Sequence, residues 1–280
     1  MLKSKPIIIT GMHRSGTSLL AEILSKYIFI GSNLDVNNES IYFQRINRWL
    51  LSCNSCSWDN PISFKSINEH DLNILIKKLN TNLNKKISSI MFFGIKNTIY
   101  NKNFNNLGLW GWKDPVNVFT LDLWSRIFKD FKVINVIRNP LDVSLSLLNR
   151  QIVLSKLDKK KSTQNNFLSS IVPLLSINKG GMYSSFKINN INDCLKLYAK
   201  YYDQIIANNS LYDHVLNVRY EKLLMNQEQE LKIIYEFCNI NSSSINNDIK
   251  TINTSMINKY NYLDIDYDSK LLNGLPNQIK

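Results

Sequence analysis

The sequence predicts an α/β protein, a parallel sheet flanked by helices in three layers, with a P-loop-like nucleotide-binding turn after its first strand. Three observations predict it. Residues 6–10 (PIIIT) form a short apolar run rich in β-branched side chains, as a strand buried on both faces requires. That run leads directly into Gly11-Met12-His13-Arg14-Ser15-Gly16-Thr17-Ser18 and then into residues 19–24, whose apolar side chains recur at helical spacing. A second run, residues 131–137, ends at Arg138-Asn139-Pro140, where Asn139 suits a helix N-cap and Pro140 the first helical position. Strand, glycine-bounded loop and helix together open a βαβ unit.

The remaining elements follow in order. Residues 31–64 are polar and read as irregular, although they hold the aromatics Tyr42, Phe43, Trp49 and Trp58. Residues 72–90 read as one helix and 97–106 as a loop, ahead of Trp110-Gly111-Trp112-Lys113-Asp114-Pro115. A helix then carries Leu121, Leu123, Trp124 and Ile127. The helix opened by Pro140 is expected to end near Arg150, with residues 151–187, which include three consecutive lysines, forming a mobile insert or lid. Residues 191–208 read as helix, 214–218 as a third strand, and 221–237 as helix; the Asn- and Ser-rich tail from 241 to 280 is undetermined. Neither a repeat nor a linker divides the chain, so residues 1–280 are expected to form one domain, with 31–64 and 151–187 shaping the acceptor side.

Composition narrows the class. A chain of 280 residues with 44% hydrophobic side chains can bury a core without disulfides or metals. No run approaches the 18 or so apolar residues of a membrane span, and the N-terminal apolar run is too short for a secretory signal, so a cytoplasmic protein is expected. The formal charge is +12, but 27 of the 34 cations are Lys and only seven are Arg. Much of that charge therefore reads as solvated surface; a nucleic-acid module would cluster its cations among aromatics, and here they are scattered along the chain. Cys53 and Cys56 have the spacing of half a zinc site, but no second pair exists, so reduced thiols are expected.

The scarce residues carry the chemistry. Glycines let a loop curl so that successive N–H groups point inward, and the helix that follows adds its positive end, which together bind a phosphate. In Gly11-x4-Gly16-Thr17-Ser18, Thr17 stands where a triphosphate-binding loop has Lys, which argues against NTP hydrolysis. Arg14 supplies a cation inside the loop instead. A second Arg, Arg138, ends a buried strand, where α/β folds place ligands, and Ser146 lies two turns along the next helix. Two anion sites on one nucleotide without a metal is the reading these residues favour; a P-loop kinase or NTP-binding protein is the alternative.

ITGMHRSGTSLL resembles the 5′-phosphosulfate loop of sulfotransferases, and RNPLDVSLS resembles their 3′-phosphate motif. The resemblance implies the donor 3′-phosphoadenosine 5′-phosphosulfate (PAPS), released as 3′,5′-ADP, with no metal. His13, Arg14, Ser15, Gly16, Thr17 and Ser18 would hold the 5′-phosphosulfate, Arg14 also taking part in catalysis, and Arg138 and Ser146 would hold the 3′-phosphate. Asn38-Glu39-Ser40-Ile41-Tyr42-Phe43 is similar to the segment that supplies the catalytic Glu of glycosaminoglycan sulfotransferases, which implies Glu39 as base, with His13, Asp59 and Asp114 as alternatives. Lys113-Asp114-Pro115 resembles their Lys-x-Pro step, which implies Lys113 on the bridging oxygen. The acceptor implied is a hydroxyl of a small molecule or glycan. Trp110 and Trp112 are expected to pack in the core, and Arg219-Tyr220-Glu221 reads as structural.

Overall fold

The computed structural model describes residues 2, 5–62, 67–100, 103–105, 108–162, 184–241, 245–249 and 266–276. Its centre is a four-stranded parallel sheet: β1 (Ile7–Gly11), β2 (Gly111–Lys113), β3 (Lys132–Ile137) and β4 (Val215–Arg219), in the order β2-β1-β3-β4. The chain places β2 on one side of β1 and β3 on the other, so the carboxyl end of β1 is a topological switch point, where open α/β sheets form their ligand crevice. The phosphate-type loop leaves from that end.

Side chains alternate along each strand and divide the core in two. Ile7, Ile9, Ile134, Val136 and Val218 pack beneath α1 (Thr17–Leu24), with Leu223, Leu231 and Ile234 among the partners. Ile8, Val133 and Ile137 face the opposite layer, built from α2 (Ile41–Cys53), α3 (Glu69–Leu83), α4 (Lys86–Ile99), α5 (Asn117–Ile127), α6 (Pro140–Ser162) and α7 (Ile191–Asn209). The first layer is completed by α8 (Tyr220–Met225), α9 (Gln227–Cys238) and α10 (Ile245–Ile249); a 3₁₀ turn, Ser269–Leu272, packs near α7. Trp110 and Trp112 are core residues, as expected, and Trp112 stacks on Phe43 with centroids 4.0 Å apart.

Five sequence expectations need correction. Gly111–Lys113 is a fourth strand, too short to declare itself; Gly111 is required there because a Cβ would lie 1.9 Å from the Ile7 carbonyl oxygen. Within the segment read as irregular, α2 forms because Tyr42, Phe43, Asn47, Leu50 and Leu51 repeat at three-to-four spacing and are buried. The single helix expected over 72–90 is two helices, and the second continues into the segment read as loop. Helix α6 runs on to Ser162 instead of stopping near Arg150, which converts the first part of the expected lid into helix; residues 163–183 lie outside the described residues. The helix expected over 221–237 breaks at Asn226 into α8 and α9.

Candidate functional site

The loop after β1 is shaped by two left-handed residues, Arg14 at φ 71° and Gly16 at φ 103°. Gly16 is the N-cap of α1, whose first turn carries no acidic residue, so the positive helix end faces the loop unneutralised. A Cβ on Gly16 would lie 2.2 Å from the Tyr220 ring, which closes over the loop from the start of α8. Tyr220 also carries the Arg138 guanidinium on its face at 4.6 Å.

Arg14 and Ser146, which the sequence assigns to different phosphates, meet directly. Arg14 Nε donates to Ser146 Oγ at 2.9 Å, and Arg138 Nη1 approaches the Arg14 carbonyl at 3.4 Å. Arg138 also contacts Asp142 at 3.5 Å. Burial, then the charges of Arg150 and Arg138, lower the pKa of Arg14, as expected where cations crowd together. Asn139 caps α6 as expected, its Oδ1 accepting from the Leu141 and Asp142 N–H groups, while its own N–H donates to Glu221 Oε1 at 2.6 Å.

Across the crevice, Lys113 and Glu39 form a buried ion pair at 2.8 Å. Lys113 Nζ also donates to the Asn37 carbonyl at 3.2 Å and to Ser18 Oγ at 3.3 Å, so it touches the phosphate-type loop. Glu39 Oε2 accepts from Gln44 at 2.7 Å, and Asp35 Oδ1 accepts the main-chain N–H groups of Asn37 and Glu39, which folds the 35–39 turn.

Beneath this pair lies a polar node. The Asn47 amide, fully buried, makes four hydrogen bonds: Nδ2 donates to Asp114 Oδ2 at 2.9 Å and to Asn117 Oδ1 at 2.7 Å, while Oδ1 accepts from Thr120 and from the Trp124 indole, each at 3.0 Å. The other Asp114 oxygen accepts the Val116 N–H at 2.9 Å. Asn47 thereby ties α2, which follows Glu39, to the residue after Lys113. Burial, then the nearby Glu39 charge, raise the Asp114 carboxyl to about 7.

Arg14, Ser146, Arg138, Glu39, Lys113 and Asp114 line one cavity of about 1310 Å³, with Asn47 buried behind it. His13 sits in its wall against Trp58 and Tyr201, with Nε2 buried and unpartnered. Burial, then the charges of Arg150 and Lys113, with a smaller push from Arg14, hold its pKa well below 6.5, against the opposing pull of Asp59; it is neutral. Asp59 accepts hydrogen bonds from Ser57 and Ser185. Arg150, one turn beyond Ser146, lies over Trp58 at 5.9 Å.

A family model described as "Sulfotransferase family" matches residues 6–244. The chain belongs to the sulfotransferase family. Among solved structures, the sulfotransferase domain of the Synechococcus PCC 7002 olefin synthase is similar with a TM-score of 0.52 and 13% identity, covering 95% of this chain and 90% of that one. The sulfotransferase domain from the curacin biosynthetic pathway gives a TM-score of 0.51 at 14% identity, covering 97% and 96%. At that identity the likeness concerns the fold. No curated protein matches the sequence significantly.

Three residues of this sulfotransferase site escape sequence reasoning. Asn47 stands in a segment read as loop, although the helical repeat around it was a usable signal. Tyr220 was read as structural, yet it lines the cavity and packs on both Gly16 and Arg138. Arg150, one turn beyond Ser146 on α6, lines the cavity, and nothing in its local sequence marks it. The four cysteines are free thiols, and the described residues hold no cluster of three or more potential metal ligands.

Proposed function

We propose that this sulfotransferase moves the sulfuryl group of PAPS to an acceptor hydroxyl, most favourably on a carbohydrate. One observation carries the reading: an Arg14–Ser146–Arg138 cluster and a Lys113–Glu39 pair face the same cavity from opposite sides of the glycine-bounded loop. The donor fits the residues present. The loop has left-handed residues at Arg14 and Gly16 and a buried, unpartnered Ser15 hydroxyl, and a Cβ at Gly16 would collide with the Tyr220 ring that closes over it. In this reading the 14–18 main chain, Thr17 and Ser18 hold the 5′-phosphosulfate. Arg138 and Ser146 hold the 3′-phosphate, with Arg14 placed between the two phosphates.

The acceptor oxygen forms a bond to sulfur while the bond from sulfur to the bridging phosphate oxygen breaks. The acceptor proton passes to Glu39, and the charge left on the 5′-phosphate is met by Lys113. This requires the Lys113 ammonium to turn from Glu39 towards the donor, a movement suited to a compact charge on a flexible stem. Asp59, held by two serines, and His13, held neutral, are placed to orient the acceptor rather than to replace Glu39. The carbohydrate preference rests on the polar side chains Asp35, Gln44, Arg48 and Asn149, which line the cavity together with Trp58.

The test is transfer from sulfur-labelled PAPS to a panel of sugars and phenols. The expected result is label on a sugar hydroxyl with one 3′,5′-ADP released per transfer. Label on phenols alone overturns the carbohydrate preference, and absence of both label and 3′,5′-ADP binding overturns PAPS as donor.

A further inference from the structure

Helices α3 and α4 carry a surface that the cavity does not use. Between residues 73 and 100 the chain holds five lysines, Lys77, Lys78, Lys85, Lys86 and Lys96, and no Asp or Glu. Over the same stretch large apolar side chains are exposed: Ile87 at 57% and Met91 at 43% one turn apart, then, beyond the Gly94 kink, Ile95 at 67% and Ile99 at 69% one turn apart, with Tyr100 at 77%. Single exposed apolar residues are ordinary, but a pair one turn apart on each side of the Gly94 kink, with Tyr100 after them, leaves more exposed apolar surface than one short segment usually carries and calls for a partner.

The charge placement says which kind. Lys85 is the N-cap of α4 and Lys86 its first residue, with no acidic residue in the first turn. Cations there add to the positive end of the helix dipole rather than offsetting it, an arrangement that an external anion stabilises. Protein interfaces favour aromatics and Arg and are depleted in Lys, the reverse of this surface. Single-stranded nucleic acid would want stacking platforms, whereas the exposed side chains here are mainly aliphatic.

We propose that the α3–α4 face docks on an anionic lipid surface. Ile87, Met91, Ile95 and Ile99 enter the acyl boundary, and the lysine stems lie along it with their ammonium groups at the lipid phosphates. Among the described residues no helix is long and apolar enough to cross a membrane, so the contact is peripheral. The proposal is independent of the donor and acceptor assigned above.

Sedimentation with vesicles tests it, comparing phosphatidylcholine alone with phosphatidylcholine containing one part in three phosphatidylglycerol. Retention on the anionic vesicles is expected to be at least about ten-fold stronger, and to weaken with added salt. Ile95→Glu with Ile99→Glu should abolish it, and Lys85→Gln with Lys86→Gln should reduce both the retention and its salt dependence. Unchanged melting temperatures establish that these exposed substitutions leave the fold intact. Equal retention on both vesicle types, or retention that survives the Ile95/Ile99 variant, overturns the proposal. So does a wild-type dimer in light scattering that Ile95→Glu dissociates, with no vesicle binding, since the face would then join two copies of the chain.

Discussion

The two walls of the cavity solve opposite problems. On the Lys113 side, Asn47 makes four hydrogen bonds, Asp114 accepts from both Asn47 and the Val116 N–H, and Lys113 is paired with Glu39. On the Arg14 side the charges crowd: Arg14, Arg138 and Arg150 lie near one another, and two buried loop atoms, His13 Nε2 and Ser15 Oγ, lack partners. A wall whose charged groups are paired can hold reacting groups in register. One that concentrates positive charge is stabilised when an anion arrives. In the proposed reaction the Lys113 side would position the reacting groups and the Arg14 side would capture the anionic donor.

The largest effect should come from cutting the reactive pair. Glu39→Gln is expected to lower turnover by about 10²–10⁴-fold, the usual contribution of a general base, while leaving 3′,5′-ADP affinity nearly unchanged. Parallel loss of turnover and nucleotide affinity would break the division between the walls.

Next is the polar node. Asn47→Leu keeps the volume but strips a partner from Asp114 and acceptors from Thr120 and Trp124, so chemical denaturation should show a loss of about 3 kcal/mol or more. Asn149→Leu, on the exposed cavity wall, should stay within about 0.5 kcal/mol. Equal effects at the two positions would remove the distinction.

A smaller effect is expected at the loop. Gly16→Ala drives a methyl into the Tyr220 ring at a left-handed position, which should destabilise by about 1–3 kcal/mol and weaken 3′,5′-ADP binding. Gly108→Ala meets nothing within 4 Å and should be close to neutral in the same melting experiment.

The last effect concerns pH. The Asp114 carboxyl is raised from 3.8 to about 7, so the folded chain holds that proton more tightly than the unfolded chain does. Its contribution to stability is complete below pH 3.8 and is lost as the pH climbs through about 7. Unfolding measured across that window should show wild type losing stability relative to Asp114→Asn as pH rises; the reverse trend would contradict the burial argument.

What the sequence revealed follows from where energy is local. The runs at residues 6–10 and 131–137 declare buried strands because a continuous β-branched run has few other homes, and Asn139-Pro140 declares a helix start by its own chemistry. Strand Gly111–Lys113 is shorter than any periodic signal and exists because Gly111 can lie against Ile7. Arg14 and Ser146 belong to two motifs whose resemblances imply separate phosphates; their contact at 2.9 Å depends on the β1–β3 pairing, which no local pattern encodes. The helical repeat around Asn47 signals its helix but not its role, because its four partners lie on Asp114 and α5, far away in sequence.

The most direct test of the account is thermal unfolding of the wild type and of Arg138→Ala with 3′,5′-ADP, 5′-AMP, and ATP with or without Mg²⁺. At about 100 times its Kd, 3′,5′-ADP should stabilise the wild type by roughly 2.7 kcal/mol. At the same concentration 5′-AMP, lacking the 3′-phosphate, should stabilise less, and Arg138→Ala should abolish the difference. Stabilisation by Mg²⁺–ATP with none from 3′,5′-ADP would contradict the account.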